Sequence, residues 1–307
     1  MKKIYLLFPI LAGIMFGSTG IFVRILTENG IDSISLLFLR FSISLIYIVI
    51  GILLNDKNIL DNKNLLKANK KDLPYFLTCG LCILALNLCY NYSINTITLS
   101  LAAILLSTAP VFVLIFEYFL FNEKITGIKV ASVIFILIGC TLVTGLIEEN
   151  SINISLIGIL AGFGSAIFWA TYSVSSRKAM DRGNHAFTLF FYSLIIITVV
   201  TIPFTDFNQI ANFISLDILY NTLFLLIHSL VSFTLPYVFI TISLKHMDAG
   251  TAITLSSVEP IAALVFGMIF YSEIPTGLMI IGVIITVIAL IILSRSSANK
   301  TDDLIEN

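Results

Sequence analysis

Two charged residues of opposite sign lie deep inside long apolar stretches of the sequence, where they could bind a small molecule. Glu259 falls about ten residues into one stretch, roughly 15 Å from its start at the helical rise of 1.5 Å per residue. Arg40 falls about seven residues into another, roughly 10 Å from its start. A carboxylate can hold an amine or a proton, and a guanidinium can hold a carboxylate or a phosphate in a bidentate fork. Charges at such depth are costly in a membrane, so each needs a reason to be there.

Structural roles fit the same two residues, and the sequence leaves both interpretations open. Pro260 cannot donate a backbone hydrogen bond to residue 256, so Glu259 could instead brace a kinked helix. Arg40 could pair with an acid such as Glu259, or could extend its side chain to the outer headgroups.

Polar and aromatic side chains at helical spacing could line the rest of a central cavity. Rings and amides can orient a small zwitterion or a polar metabolite without demanding a net charge. The candidate substrate-binding residues, besides Glu259 and Arg40, are Tyr90, Asn87, Asn91, Trp169, Tyr172, Ser257, Tyr237 and His228. Each fits equally well as a packing or helix-bridging residue, and His228 could relay protons or simply bond a neighbouring helix.

Other polar groups have simpler interpretations. Glu117 is expected to extend towards Lys124 or the membrane interface. Cys79 and Cys82 are interpreted as small apolar residues, because no second cysteine pair or local histidine accompanies them. The sequence contains no phosphate-binding glycine loop and no catalytic constellation. We therefore expect no enzyme activity, no cofactor, no metal and no nucleic-acid partner.

The composition requires a membrane environment for these residues. Hydrophobic residues make up 58% of the 307 residues, charged residues 11%, and the mean hydropathy is +1.03. Such a chain suits ten spans of about 20 residues with short connections. The predicted spans are 4–24, 34–54, 73–95, 99–120, 126–147, 154–176, 186–204, 216–244, 249–271 and 276–294.

Residues 99–143 recur 150 positions later as residues 249–293, which indicates a duplicated unit. The positions that coincide are Ser107 and Ser257, Pro110 and Pro260, Glu123 and Glu273, Thr126 and Thr276, and Gly127 and Gly277. Five spans per unit make the second copy enter the bilayer from the opposite side. We predict an all-α integral membrane protein of ten transmembrane helices in two inverted five-helix repeats, 1–147 and 153–294, followed by a disordered cytoplasmic tail, 295–307.

The basic residues predict the orientation. With the N-terminus inside, fifteen of the 17 lysines and arginines fall on the inner side, including those of the long loop from Asn55 to Asp72. Both termini are therefore expected in the cytoplasm of a cell-membrane protein that contacts lipids. Gly13 and Gly17, like Gly158 and Gly162, are expected to allow close helix approach.

Several short motifs resemble the drug/metabolite transporter superfamily, and specifically its EamA-type ten-helix branch. The motifs are Phe16-Gly17-Ser18, Leu39-Arg40-Phe41, Ala109-Pro110, Phe121-Asn122-Glu123, Trp169-Ala170-Thr171-Tyr172, Val258-Glu259-Pro260 and Tyr271-Ser272-Glu273. The resemblance covers nearly the whole chain. It implies a secondary carrier of small metabolites, often an amino-acid exporter, with a central cavity between the halves.

Alternatives remain at this stage. A channel or a lipid-handling membrane protein would share the apolar composition, although the pore-lining stripes or clustered acids that they use are not evident. Proton coupling is an open possibility for the carrier, and no feature of the sequence specifies an oligomeric state.

Overall fold

A computed structural model describes residues 5–55, 70–97, 99–145, 147, 155–272 and 274–306. Within these ranges the regular secondary structure is entirely helical. Its fifteen α-helices are α1 Leu7–Gly17, α2 Thr19–Glu28, α3 Ser33–Asn55, α4 Leu73–Thr96, α5 Leu99–Leu106, α6 Ala109–Phe121, α7 Gly127–Val143, α8 Leu156–Asp181, α9 Ala186–Thr201, α10 Phe207–Leu216, α11 Ile218–Ser229, α12 Leu235–Leu244, α13 Ala249–Ser256, α14 Glu259–Tyr271 and α15 Gly277–Glu306.

The predicted all-α membrane fold is confirmed. The described residues contain nine helical segments that are long and apolar enough to cross a membrane. The segment predicted as the fifth span, 126–147, is the shorter apolar helix α7. Most of the predicted loop between the seventh and eighth spans instead forms the amphipathic helix α10. The tail is helical as far as Glu306, so the expected disorder is wrong for its described part.

Two predicted connections lie largely outside the described residues. They are the basic loop between Asn55 and Asp72, of which residues 56–69 are not described, and the junction of the two repeats at 148–152. At the end of the first of these, one turn of 3-10 helix, Lys70–Asp72, leads into α4.

Three of the spans are interrupted rather than continuous. The first divides at Ser18, the fourth at Ser107 and Thr108, and the ninth at Ser257 and Val258. In the fourth and ninth spans, Pro110 and Pro260 lie in the first turn of the new helix. The first N–H groups of a helix have no partner within that helix, so the N–H that proline lacks costs the new helix no hydrogen bond. The regular helical hydrogen-bond pattern therefore breaks near the middle of these spans.

The first span of each repeat packs against the fourth span of the other repeat. Helix α1 contacts α13 and α14, and α8 contacts α5 and α6. Glycines bring these pairs together: a Cβ atom built on Gly13 would lie 2.3 Å from the Ser256 carbonyl oxygen, and one on Gly162 would lie 2.5 Å from Leu105. The predicted close approach at both glycine pairs is thus confirmed, and it interleaves the two repeats.

The outer surface of the bundle is apolar, as a lipid-facing surface must be. Large hydrophobic side chains such as Phe119, Leu156 and Ile269 are exposed there. Two apolar grooves of about 230 and 210 Å³ lie among outer residues of α6, α7 and α8, and neither is lined by Arg40 or Glu259.

Candidate substrate-binding site

The ring of Tyr237 on α12 is the centre of an aromatic cluster that the second repeat forms together with Phe16 of the first. Five rings lie with their centroids 4.5–5.5 Å from that of Tyr237, and they belong to Phe16, Trp169, Tyr172, Phe190 and Phe233. Trp169 and Tyr172 are stacked in parallel at 5.4 Å. The edge-to-face and offset geometries are those that aromatic pairs prefer, so these six rings form a rigid surface, which we call the aromatic wall.

A local change of helix type positions this wall. The turn Leu230–Thr234 is π-helical and precedes Pro236, which cannot donate to the Ser232 carbonyl four residues earlier. That carbonyl instead accepts a hydrogen bond from the Thr19 hydroxyl at 3.5 Å, and Thr234 donates to Ser44 at 2.8 Å. The Thr19 hydroxyl thus takes the place of the donor that Pro236 lacks, and the Thr234–Ser44 hydrogen bond joins the turn to the second span.

Arg40 lies beside this wall and is buried, with 6% of its surface exposed. Its Nη2 atom lies 3.4 Å from Nε2 of His228, and its guanidinium carbon lies 5.8 Å from the centre of the Phe233 ring. The interpretation that Arg40 extends to the headgroups is therefore wrong. Among the described residues, no carboxylate forms an ion pair with it.

Hydrogen-bond roles in the Arg40 and His228 pair leave two buried donors without partners. Arginine can only donate, so Nε2 of His228 must accept, which places the histidine proton on Nδ1. Both Nδ1 of His228 and Nε of Arg40 lack a hydrogen-bond partner in the described structure. Buried unpaired donors are costly, and a ligand with acceptor oxygens would satisfy them.

Glu259 is the first residue of α14 and is half-buried at the interruption of the ninth span. Its neighbours include Tyr90 of α4, Tyr237 and Cys140. A Cβ atom on Gly17 would lie 2.7 Å from the Glu259 carbonyl oxygen, so α1 packs in direct contact with this turn. Tyr237 is also near Arg40, so it is a neighbour of both charged groups.

The remaining predicted residues divide into two groups. Asn87, Tyr90 and Asn91 are half-buried on α4, and the Asn87 side chain lies close to Tyr237. Tyr172 and Ser257 are more enclosed. The Tyr172 hydroxyl bonds Thr241 at 2.9 Å, and the Ser257 hydroxyl donates to the Ile253 carbonyl within its own segment. In this conformation Tyr172 and Ser257 therefore serve packing and bridging.

A second polar cluster lies at one end of the bundle, which we call the basic end. It is the end at which α4, α7 and α13 begin and α6 and α8 finish, and its described ion pairs are Glu117–Arg177, Glu123–Arg177, Lys129–Asp248 and Asp72–Arg182. The predicted orientation towards Lys124 is wrong for Glu117. Its side chain is 1% exposed, pairs with Arg177 and accepts hydrogen bonds from the backbone of Ala249 and Gly250.

The loop residue Asp248 completes this arrangement as the N-cap of α13. It accepts from Lys129 at 2.6 Å and from the backbone of Thr251 at 2.8 Å. Burial alone would raise the pKa of the Asp248 carboxyl, but the Lys129 charge and these hydrogen bonds hold it below its ordinary value. Asp248 is therefore a stable anion at neutral pH.

Sequence reasoning missed Phe190, Phe233 and the partners of Glu117. The 24 phenylalanines of the chain look alike in sequence, although Pro236 marks the segment in which Phe233 lies. Glu117 and Arg177 are 60 positions apart, and only the packing of α6 on α8 brings them together. Among the described residues, no group of histidine, cysteine and acidic side chains is arranged to hold a metal ion.

The duplicated, interleaved architecture has counterparts among known proteins. Residues 3–145 and 156–295 each match the EamA-like transporter family. The chain belongs to that family. It is accordingly a multi-pass membrane protein of a family of transporters, which agrees with the resemblance seen in its motifs.

Several proteins named as transporters or exporters are similar to most of the chain. An uncharacterized transporter of Clostridium kluyveri is 27% identical over 99% of this chain and 96% of its own. A pseudopaline exporter of Pseudomonas aeruginosa is 29% identical over 74% of this chain and 77% of its own. A threonine/homoserine exporter of Salmonella typhimurium is 26% identical over 70% of this chain and 68% of its own. A solved crystal structure superposes with a TM-score of 0.74 over 96% of this chain and 98% of its own, at 15% identity, and shares the fold.

Proposed function

We propose that this EamA-like protein is a secondary transporter that exports small metabolites such as amino acids across the cell membrane. Its two inverted repeats would expose a site near the middle of the bilayer to each side in turn. Two relatives bear the names of exporters of small molecules, which supports the direction of transport. The basic end, which carries the excess of lysine and arginine, is assigned to the cytoplasm together with both termini.

The observation that carries the proposal is the buried guanidinium of Arg40, which has no carboxylate partner in the part of the chain that the structure describes. A charge removed from water without a counter-ion is strongly unfavourable, so such a group is retained where a ligand supplies the counter-ion. The unpaired donors on Arg40 and His228 suit a carboxylate, because its oxygens accept hydrogen bonds and donate none. The cargo therefore carries an acidic group.

Glu259 and the aromatic wall select the other end of the cargo. Glu259 would hold an amine, and because Tyr237 is a neighbour of both Glu259 and Arg40, a zwitterion bound beside Tyr237 would meet both charges. Trp169 and Tyr172 are enclosed in this conformation, and in an open one their stacked pair beside Tyr237 would offer a surface for an apolar side chain. Their flat faces supply contact area with little loss of conformational freedom.

The remaining candidates have supporting roles in the proposal. Asn87, Asn91 and Tyr90 would offer amide and hydroxyl groups from α4 on the side of Glu259. Ser257 would act only after the interruption between α13 and α14 changes shape, because its hydroxyl bonds its own segment here.

The test is transport by purified protein in liposomes loaded with labelled amino acids, nucleosides or sugar phosphates, with both gradient directions imposed. We expect an amino acid, and threonine or homoserine first, to leave with saturable kinetics and to exchange with unlabelled cargo on the other side. Linear, non-saturating flux without exchange would instead indicate a channel. Transfer of a labelled phospholipid between leaflets, without amino-acid flux, would indicate a lipid-handling protein.

A further inference from the structure

The ion network at the basic end joins the two repeats to each other. Glu117 and Glu123 belong to the first repeat, and their shared partner Arg177 belongs to the second. Lys129 of the first repeat pairs with Asp248 of the second at 2.6 Å. If the repeats move relative to each other during transport, these contacts must break for the basic end to open.

Glu117 binds the N-terminus of one particular element, the short helix α13. Its two carboxylate oxygens accept the Ala249 and Gly250 N–H groups at 2.6 and 2.9 Å. These are among the donors that a helix start leaves unpaired, and the helix dipole favours a negative charge there. A Cβ atom on Gly250 would lie 2.8 Å from the carboxylate, so a glycine is needed for this approach.

Helix α13 connects this carboxylate to the candidate site. All eight of its residues are buried, and its far end is the interruption that leads to Glu259. A short helix held at both ends moves as one body, so a shift at Glu259 is transmitted to the contact between α13 and Glu117. Cargo binding and release of the basic end would thus be mechanically connected.

The opposite end of the bundle carries an incomplete copy of the same arrangement. Arg177 lies over the ring of Phe121 at 4.6 Å, and Arg24, its counterpart in the repeat, lies over the ring of Tyr271 at 4.4 Å. In sequence Glu117 corresponds to Gly267, so this end has no equivalent carboxylate. Arg24 there pairs with Glu28 on its own helix, and their side chains are 55% and 66% exposed. The Arg177 side chain is 14% exposed.

We propose that Glu117, Glu123 and Arg177, together with Lys129 and Asp248, form a latch that holds the basic end closed in this conformation. We further infer that Arg24 and Tyr271 form the weaker counterpart, which is enclosed when the basic end opens. The latch rests on the proposed transport function, but its test requires no cargo. Because only the basic end has the Glu117 carboxylate, the conformation closed at that end is favoured in the absence of cargo.

The test measures the access of a thiol reagent to a reporter cysteine. The four native cysteines are replaced, and Thr254, a buried residue whose hydroxyl bonds the Gly250 carbonyl at 2.6 Å, is changed to cysteine. A membrane-impermeant maleimide is added to either side of vesicles in which the protein has a known orientation. Glu117→Gln should raise the labelling rate from the basic side about tenfold, since losing a charged hydrogen bond shifts the two conformations by that order.

Matched variants separate a latch from a general loss of structure. Gly250→Ala keeps every charge but displaces the Glu117 carboxylate, and it should raise labelling from the same side. Asp181→Asn removes an exposed carboxylate of α8 near Arg177 and should change nothing. A merely destabilised protein would label faster from both sides, whereas release of the latch raises labelling from the basic side and lowers it from the other.

A double variant tests the counterpart formed by Arg24 and Tyr271. Arg24→Gln, added to Glu117→Gln, should partly reverse the increase because the conformation open at the basic end then loses its closure at the other end. Unchanged labelling in both Glu117→Gln and Gly250→Ala would overturn the latch, and an unchanged rate on adding Arg24→Gln would overturn the counterpart. Failure of every amino acid in transport assays would count against the proposed cargo and leave these labelling results intact.

Discussion

Arg40 and His228 are 188 positions apart in the sequence, yet Nη2 of one lies 3.4 Å from Nε2 of the other in the interior of the protein. Two cationic or potentially cationic groups meet there without a described acidic partner. The neutral histidine accepts a hydrogen bond from the arginine. The Nδ1 proton of His228 and the Nε proton of Arg40 are then available to another molecule.

The first prediction concerns this histidine. His228→Phe removes the acceptor that faces Arg40 and one of the two free donors, so the apparent affinity for cargo should fall about tenfold, the scale of one hydrogen bond to a charged group. His228→Gln can restore both an acceptor and a donor and should recover most of the affinity. Concentration-dependent efflux from liposomes measures both variants. Equal affinities in the phenylalanine variant and the parent protein would show that His228 only fills space.

The second prediction tests the close packing of the first span on the ninth. Gly17→Ala would place a Cβ atom 2.7 Å from both the Glu259 carbonyl oxygen and the Ala262 Cβ atom. Overpacking of this kind typically costs about 1–3 kcal/mol of unfolding free energy. Gly20→Ala is the matched control on the same span, because nothing lies within 4 Å of its added Cβ atom. Thermal unfolding in detergent should show a loss only for Gly17→Ala, and equal midpoints would contradict the interleaved packing.

The larger features of this fold follow from sequence because they rest on composition and repetition. Runs of apolar residues give the spans, and Pro110 with Pro260 marks equivalent interruptions in the two repeats. The glycine pair Gly13 and Gly17 marks a close helix contact by residue size alone. These signals are local, so no knowledge of the tertiary structure is needed to read them.

Contacts between distant segments could not be read in the same way. The sequence predicts that Glu117 extends to the interface, because nothing near it in sequence indicates that its partners Arg177 and Gly250 lie in the other repeat. The π-helical turn before Pro236 bonds the Thr19 and Ser44 hydroxyls, which come from the first two spans. Hydrophobic periodicity carries no information about which polar groups meet across helices.

The third prediction concerns the pH dependence of stability. His185 caps α9, and its Nδ1 atom accepts the Phe187 N–H at 3.3 Å, which requires an unprotonated ring nitrogen. Burial, aided by the nearby Lys245 charge, holds the pKa of His185 below its ordinary value of 6.5. Because the pKa of His185 is lower in the folded protein than in the unfolded chain, the neutral ring contributes to the free energy of unfolding. This contribution is complete above pH 6.5 and is lost as the pH falls through the folded pKa.

The measurement compares unfolding of the parent protein and His185→Asn between neutral pH and pH 5. Asparagine caps a helix without titrating, so this variant should lose less stability on acidification, by up to about 1 kcal/mol, the usual scale of an N-cap. Parallel pH profiles for the two proteins would show that the His185 cap makes no titrating contribution.

The fourth prediction separates binding by Glu259 from proton coupling. Glu259→Gln keeps the shape of the side chain but cannot carry a proton or a negative charge. If Glu259 carries protons, cargo movement in the parent protein should change the internal pH of lightly buffered liposomes, and the variant should exchange cargo without that change. If Glu259 only binds the amine, the affinity should fall without any pH signal in either protein. Unaltered transport and affinity in the variant would exclude both roles.

The most direct test of the account is whether Arg40 recognises the acidic group of the cargo. Competition against the transported amino acid is measured with the free acid and with its methyl ester, for the parent protein, Arg40→Lys and Arg40→Gln. The parent protein should prefer the free acid by at least about tenfold, the scale of a charged hydrogen bond. Arg40→Lys should retain part of that preference and a folded Arg40→Gln should lose it. A full preference for the free acid in Arg40→Gln would contradict the account.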